Sequence, residues 1–212
     1  MCFSATASFA VAGIDLLIGI AIFRQSPALR ETLLASFPLV FAVQQFAEGL
    51  LWISLPGKAA GDAEFAFAAA LFFIIAECVW PALAPFAVLL HEEDRRRRRI
   101  LYWLAGLGLL TGAYLLNAVL TSPVRVEIYN QNIRYFNDFP YLTPYRLFYV
   151  TAVSGPLLIS SHPVVRIFGA IVILGFAMSL YLYIETLVSV WCFFAAAASG
   201  ILYFHFQRPR PA

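Results

Sequence analysis

Gln44, Gln45 and Glu48 lie in FAVQQFAEGLLW, inside an apolar run long enough to cross a membrane as a helix. Helix positions three and four apart are neighbours, so two amides and a carboxyl fall within about one turn. Asp15 and Glu77 sit in two further apolar runs, and Glu185 stands where the last two runs meet. No Lys or Arg lies in the middle of any run. An acid at the centre of the hydrocarbon costs roughly 2.5 kcal/mol or more. Without a basic partner it is protonated, binds a cation or lines a wet cavity. The chemistry open to this set is therefore the binding of a cation, a proton or a small ligand. Glu77 has a further feature, because Pro81 follows four residues later and cannot donate to the carbonyl of residue 77. A carboxyl and a freed carbonyl together are the oxygen ligands that hard cations take. The simpler alternative is a kink, with Glu77 protonated and bonded to a neighbouring carbonyl. Pro85 and Pro156 show that proline is not rare in these runs.

The elements that carry these residues follow from composition. Of 212 residues, 62% are hydrophobic and 12% charged. Soluble domains carry roughly twice that charge, so an integral membrane protein is expected. A span needs about 20 apolar residues. Seven segments qualify, at about 6–23, 32–55, 65–90, 100–120, 145–161, 163–184 and 186–206. The expected fold is a single all-α domain over 1–212, a bundle of seven transmembrane helices. With the N-terminus outside and the C-terminus inside, ten of the fourteen Lys and Arg lie inside, as the positive-inside rule requires. Counting 1.5 Å per residue puts Glu48 roughly 10 Å, Asp15 roughly 15 Å and Glu77 roughly 20 Å below the outer surface. Tyr114, Asn117, Ser154 and Cys192 also fall in the outer half. A cavity open to the outside and narrowing to Glu77 would have this distribution.

Between the fourth and fifth spans, VRVEIYNQNIRYFND alternates about Asn130-Gln131-Asn132. That pattern fits a short β-hairpin in the outer 121–144 loop, lying over the mouth of the bundle. An irregular interfacial loop, with Tyr129, Tyr135, Phe136 and Tyr141 at headgroup level, is the alternative. The HEEDRRRRR run at 91–99 reads as an inside anchor, with Arg95–Arg99 against anionic lipid headgroups rather than nucleic acid. The aromatic-rich helices permit a homo-oligomer.

Histidines are few. His91, His162 and His205 all fall at inner helix ends. Three imidazoles at one level could form a metal site, but no H-x-x-x-H or C-x-x-C spacing occurs. Histidine also serves terminal carbonyls at helix ends. A bound metal cation would draw on Glu48, Glu77 or His162. The three cysteines form no disulfide framework. Cys2 would become N-terminal on loss of Met1 and would sit at the outer mouth. The N-terminus lacks the basic region of a signal peptide, so the first span is expected as a retained anchor. No G-x-S-x-G occurs, and Ser154-Gly155 lacks the rest of a nucleophile elbow.

MCFSATASF at the start, one span, and QQFAEGLLW in the second span carry a resemblance. The chain resembles a family of small bacterial integral membrane proteins of unknown function that begin almost identically. That resemblance implies a bacterial inner-membrane location and directs interest to Cys2, Ser4, Gln45 and Glu48. A weaker likeness, in helix count and topology, is to the seven-span metal-dependent hydrolases that include alkaline ceramidases. Those place zinc on H-x-x-x-H histidines, whereas His205 has Ile201 and Pro209 at the corresponding positions. The leading expectation is an outer-facing site for transport or sensing, formed by Glu48, Glu77, Gln45, Asp15, Glu185, Asn117 and Cys2. The alternatives are a membrane-embedded, metal-dependent enzyme acting on a lipid or small substrate, and a structural subunit of a membrane complex.

Overall fold

The computed structural model describes residues 4–55, 63–121, 124–136 and 142–207, without the side chains of 136 and 142–144. Cys2, Lys58, Arg208 and Arg210 lie outside these segments. Seven helical rods and one hairpin follow in order: α1 (Ala5–Phe23), α2 (Leu29–Ser54), α3 (Ala63–His91), α4 (Arg95–Thr121), β1 (Arg125–Tyr129), β2 (Asn132–Phe136), α5 (Leu142–Ile159), α6 (Pro163–Leu182) and α7 (Ile184–Phe206). Each rod agrees with an expected segment to within a few residues. Six of them are long and apolar enough to cross a membrane; the apolar stretch of α5, Tyr145–Ile159, is shorter. Arg146, Thr151 and the tyrosines Tyr145 and Tyr149 interrupt the apolar character of α5. It is packed between α3, α4 and α6.

Burial separates the bundle's centre from its edge. Within an 18-residue apolar stretch of each rod, 28% of positions are buried in α1 and α4, against 61% in α2 and 56% in both α3 and α7. Leu17, Trp103, Leu110 and Leu120 of the two peripheral rods point outward and exposed. A contiguous apolar exterior of this kind belongs against lipid. The core is aromatic where α2, α3 and α6 meet, with Phe37 edge-on to Trp80 and Phe41 stacked on the same indole at 4.1 Å.

Two of the rods depart from a plain α-helix where the sequence requires it. In α3 the segment Ile74–Val79 is π-helical, ending just before Pro81. The missing N–H and the wider turn are two aspects of one adjustment. The carbonyl seen to take an outside donor is that of Ala76, which accepts from the Tyr149 hydroxyl. In α7, Leu187–Ser199 and Leu202–Phe206 are separated by a turn at Gly200-Ile201.

The hairpin forms as the alternation implied. Val126 pairs with Tyr135 and Ile128 with Ile133 in an antiparallel register. Asn130 and Gln131 form the two-residue turn with φ of 46° and 62°. Positive φ at both central residues belongs to the type I′ turn, whose twist matches that of the strands. Ile133 is fully buried, and Tyr135 stacks on Phe72 of α3 at 4.4 Å with rings nearly parallel. The hairpin therefore lies over one end of the bundle. The opposite end carries Arg95–Arg99 and the three histidines.

α4 meets the disrupted part of α3 through two glycines. A Cβ on Gly108 would overlap the carbonyl oxygen of Pro81, and one on Gly112 would press on that of Cys78. A Cβ on Gly106 would meet nothing. Gly108→Ala should cost about 1–3 kcal/mol or more through overpacking. Gly106→Ala should be neutral, or stabilising by up to about 1 kcal/mol. Thermal unfolding of the two variants in mild detergent checks this, and equal melting temperatures would refute the close approach.

Candidate functional site

The three intramembrane acids each receive one hydroxyl. Ser189 donates to Glu48 at 2.5 Å, Ser199 donates to Asp15 at 2.9 Å, and Tyr145 donates to Glu77 at 3.1 Å. Their surroundings then diverge. Asp15 and Glu48 are each 1% exposed, sealed between α7 and, respectively, α1 and α2. Glu77 is half-buried and opens onto a cavity of about 340 Å³.

That cavity lies under the hairpin. Its walls are aromatic: Phe73 of α3, Tyr135 of β2, Tyr145 and Tyr149 of α5, Phe176 of α6 and Trp191 of α7. Charge enters it at Glu77, Arg134, Arg146 and Glu185. Arg134 bonds Glu185 at 2.7 Å and Glu127 of the facing strand at 3.3 Å, so one guanidinium ties the hairpin to the start of α7. Trp191 donates its indole N–H to the Val172 carbonyl at 2.9 Å, which fixes that wall. The hydroxyl of Tyr135 is buried with no hydrogen-bond partner among the described residues.

The expected site residues thus separate. Glu77 and Glu185 share the cavity. Glu48 and Gln45 do not line it; both are buried. Gln44 accepts from Trp80 at 2.7 Å and so joins α2 to α3. Asp15 is held at Ser199, ten residues along α7 from Ser189. Asn117 is exposed on α4, where its carbonyl accepts from Thr121. Cys2 falls outside the described residues. Arg134, Tyr135, Arg146 and the aromatic walls were not picked out from the sequence, because loop residues reveal their partners only once the hairpin is docked.

The other end gathers all three histidines. The His91 and His205 Nε2 atoms are 2.9 Å apart, and the His91 and His162 rings stack at 3.9 Å. The loop bearing His162 is fastened to the end of α3 through Glu92. That carboxylate accepts from the N–H of Ser161 at 2.7 Å, Asp94 at 3.0 Å and Glu93 at 3.1 Å. Burial alone would raise its pKa, but these donors more than offset burial and hold it below the ordinary 4.5. Arg97 adds a bond to the Ile159 carbonyl at 2.8 Å.

A largely apolar bundle, with outer rods that expose apolar side chains and six helices long and apolar enough to cross a membrane, has the build of an α-helical integral membrane protein. The chain belongs to the Family of unknown function (DUF6629), whose sequence model matches residues 1–212. No curated protein and no solved structure matches it.

Glu48 and Asp15 are sealed against α7, each beside a serine hydroxyl. Ser189→Ala and Ser199→Ala should each cost about 1–3 kcal/mol, because each leaves a buried carboxyl without its donor. The two losses should add, since ten helical residues separate the sites by about 15 Å. Denaturant unfolding of the single and double variants tests this; a silent Ser189→Ala would show that Glu48 does not depend on its hydroxyl.

Proposed function

We propose that the protein binds a small organic cation or zwitterion in the cavity beneath the hairpin, with Glu77 taking the cationic head. One observation carries this reading: among Asp15, Glu48 and Glu77, it is Glu77 that opens onto the 340 Å³ cavity, while Asp15 and Glu48 are sealed. Ligand pockets are concave, largely apolar and fixed by a few polar groups. A carboxyl among Tyr, Trp and Phe rings suits an ammonium group, which gains both ion pairing and attraction to ring faces. Arg146, in the same cavity, would receive an anionic or acceptor group of the ligand. The Arg134–Glu185 pair borders the same cavity. Transport or sensing would follow from occupancy of this site.

The cavity faces outward in this reading. Arg24, Arg30, Arg95–Arg99 and Arg166 lie at the histidine end, against Arg125, Arg134 and Arg146 at the hairpin end. That bias supports a cytoplasmic histidine end, with Arg95–Arg99 against anionic headgroups. In a Cys2→Ser background, Gln131→Cys should react with a membrane-impermeant maleimide in intact cells, and Arg96→Cys should react only after lysis. The reverse pattern would invert the assignment.

Binding is tested with choline, glycine betaine and benzyltrimethylammonium as probes, by thermal shift and Trp fluorescence on purified protein in mild detergent. At least one probe should stabilise the wild type. Glu77→Gln should weaken that binding tenfold or more, while Glu48→Gln should leave it within about twofold. Equal binding by Glu77→Gln, or no response to any probe, would remove the proposal.

A further inference from the structure

We infer that His91, His162 and His205 form a binding site for one divalent transition-metal ion of the zinc class, at the arginine-rich end of the bundle. This site is separate from the hairpin cavity and independent of it. The three imidazoles come from the end of α3, the start of α6 and the end of α7, so the fold rather than a local motif brings them together. Each offers a ring nitrogen, and the three nitrogens all lie within 4.8 Å of one another. Two ligands of a tetrahedral ion at 2.0–2.1 Å sit about 3.3 Å apart. The His91–His205 pair at 2.9 Å is about 0.4 Å closer than that spacing, so a small opening would admit the ion. Rotation of the His162 ring out of its stack would close the remainder, a movement of up to about 1.5 Å.

Packing alone does not explain the cluster. His162 Nε2 is buried with no hydrogen-bond partner among the described residues. A buried unsatisfied nitrogen is costly, and a metal ion would satisfy it. Two Nε2 atoms 2.9 Å apart require at least one ring to be neutral with its lone pair inward, which is the form that ligates metal.

The surroundings also suit a cation. Glu31 Oε1 lies 4.0 Å from Nδ1 of His91, on the side of the ring away from Nε2. Metal-bound histidines commonly donate their other N–H to a carboxylate, which sets the tautomer and raises ligand basicity. Glu31 is held for that role by the Ala28 N–H at 2.8 Å. Glu92, adjacent in sequence to His91, brings a second anion and fastens the His162 loop. Of the arginines at this end, Arg30 is bound to Glu93 at 2.5 Å, while Arg97 and Arg98 are turned to the carbonyls of Ile159 and Glu92. Three neutral ligands beside two carboxylates accommodate a divalent charge. His162 and His205 are half-buried, which leaves a fourth position within reach of solvent. Three histidines with one open position are also found in catalytic zinc sites.

The test uses the full chain with an affinity tag that contains no histidine, purified in mild detergent. Metal content is measured by plasma mass spectrometry, zinc affinity by competition with a chromogenic chelator, and geometry by the visible bands of the cobalt-substituted protein. One zinc per chain should bind with Kd below about 1 µM at neutral pH, within the range of histidine sites. His162→Ala and His205→Ala should each weaken it at least 100-fold, and Glu31→Gln by about 10–100-fold. Zinc should raise the melting temperature of the wild type and not that of His162→Ala, so a merely unstable variant is recognised by its metal-free melting curve. If His162→Ala does not fold, His162→Gln, which keeps a polar side chain at the helix start, takes its place. Glu77→Gln should keep full zinc affinity. Wild-type protein that binds zinc no tighter than about 100 µM, or histidine variants with unchanged affinity, would overturn the site.

Discussion

A carboxyl group inside an apolar bundle must find a donor within the bundle, because lipid offers none. In this protein the donors are hydroxyls. Ser189 and Ser199 of α7 reach Glu48 and Asp15, and Tyr145 of α5 reaches Glu77. Three acids on α1, α2 and α3 are thereby tied to rods from the C-terminal half of the chain. Apolar side chains can slide past one another at little cost, but these bonds have one register. They fix how the two halves of the bundle meet, and the cavity and the histidine cluster both depend on that alignment.

The same physics accounts for the irregular middle of α3. Pro81 removes a donor, and the turn before it widens. The displaced carbonyls then become contact surface. Ala76 accepts from Tyr149, and the carbonyls of Cys78 and Pro81 lie against Gly112 and Gly108 of α4. Small residues that let backbones approach are a usual means of helix association in lipid. Here they face a place where the helix has carbonyls to present. The widened turn also contains Glu77, so the acid at the cavity sits on backbone held from two sides.

Much of this was legible in the sequence. Runs of apolar residues located the rods, and alternation about Asn130-Gln131 located the hairpin, because both signals are local. The acids stood out because charge is rare in such runs. Their grouping did not. Glu48 and Glu77 were expected to share one site; Glu77 lines the cavity and Glu48 does not. Nearly uniform apolarity leaves little amphipathic signal, so the rotation of each rod about its axis could not be read. The histidines show the opposite case. Their shared level was visible from topology, but a motif search rewards close spacing along the chain, and these three meet through tertiary packing. The docking of Tyr135 and Arg134 onto the bundle likewise depends on where the hairpin lands.

α7 is in contact with both ends. Trp191 lines the cavity beneath the hairpin, Glu185 at its start holds Arg134, and His205 near its far end stands among the imidazoles. Ser189 and Ser199 anchor the length before Gly200-Ile201 to α2 and α1, and beyond that turn Leu202 is fully buried and His205 meets His91. One rod, held along its whole length, is therefore the spacer that sets the distance between the two ends.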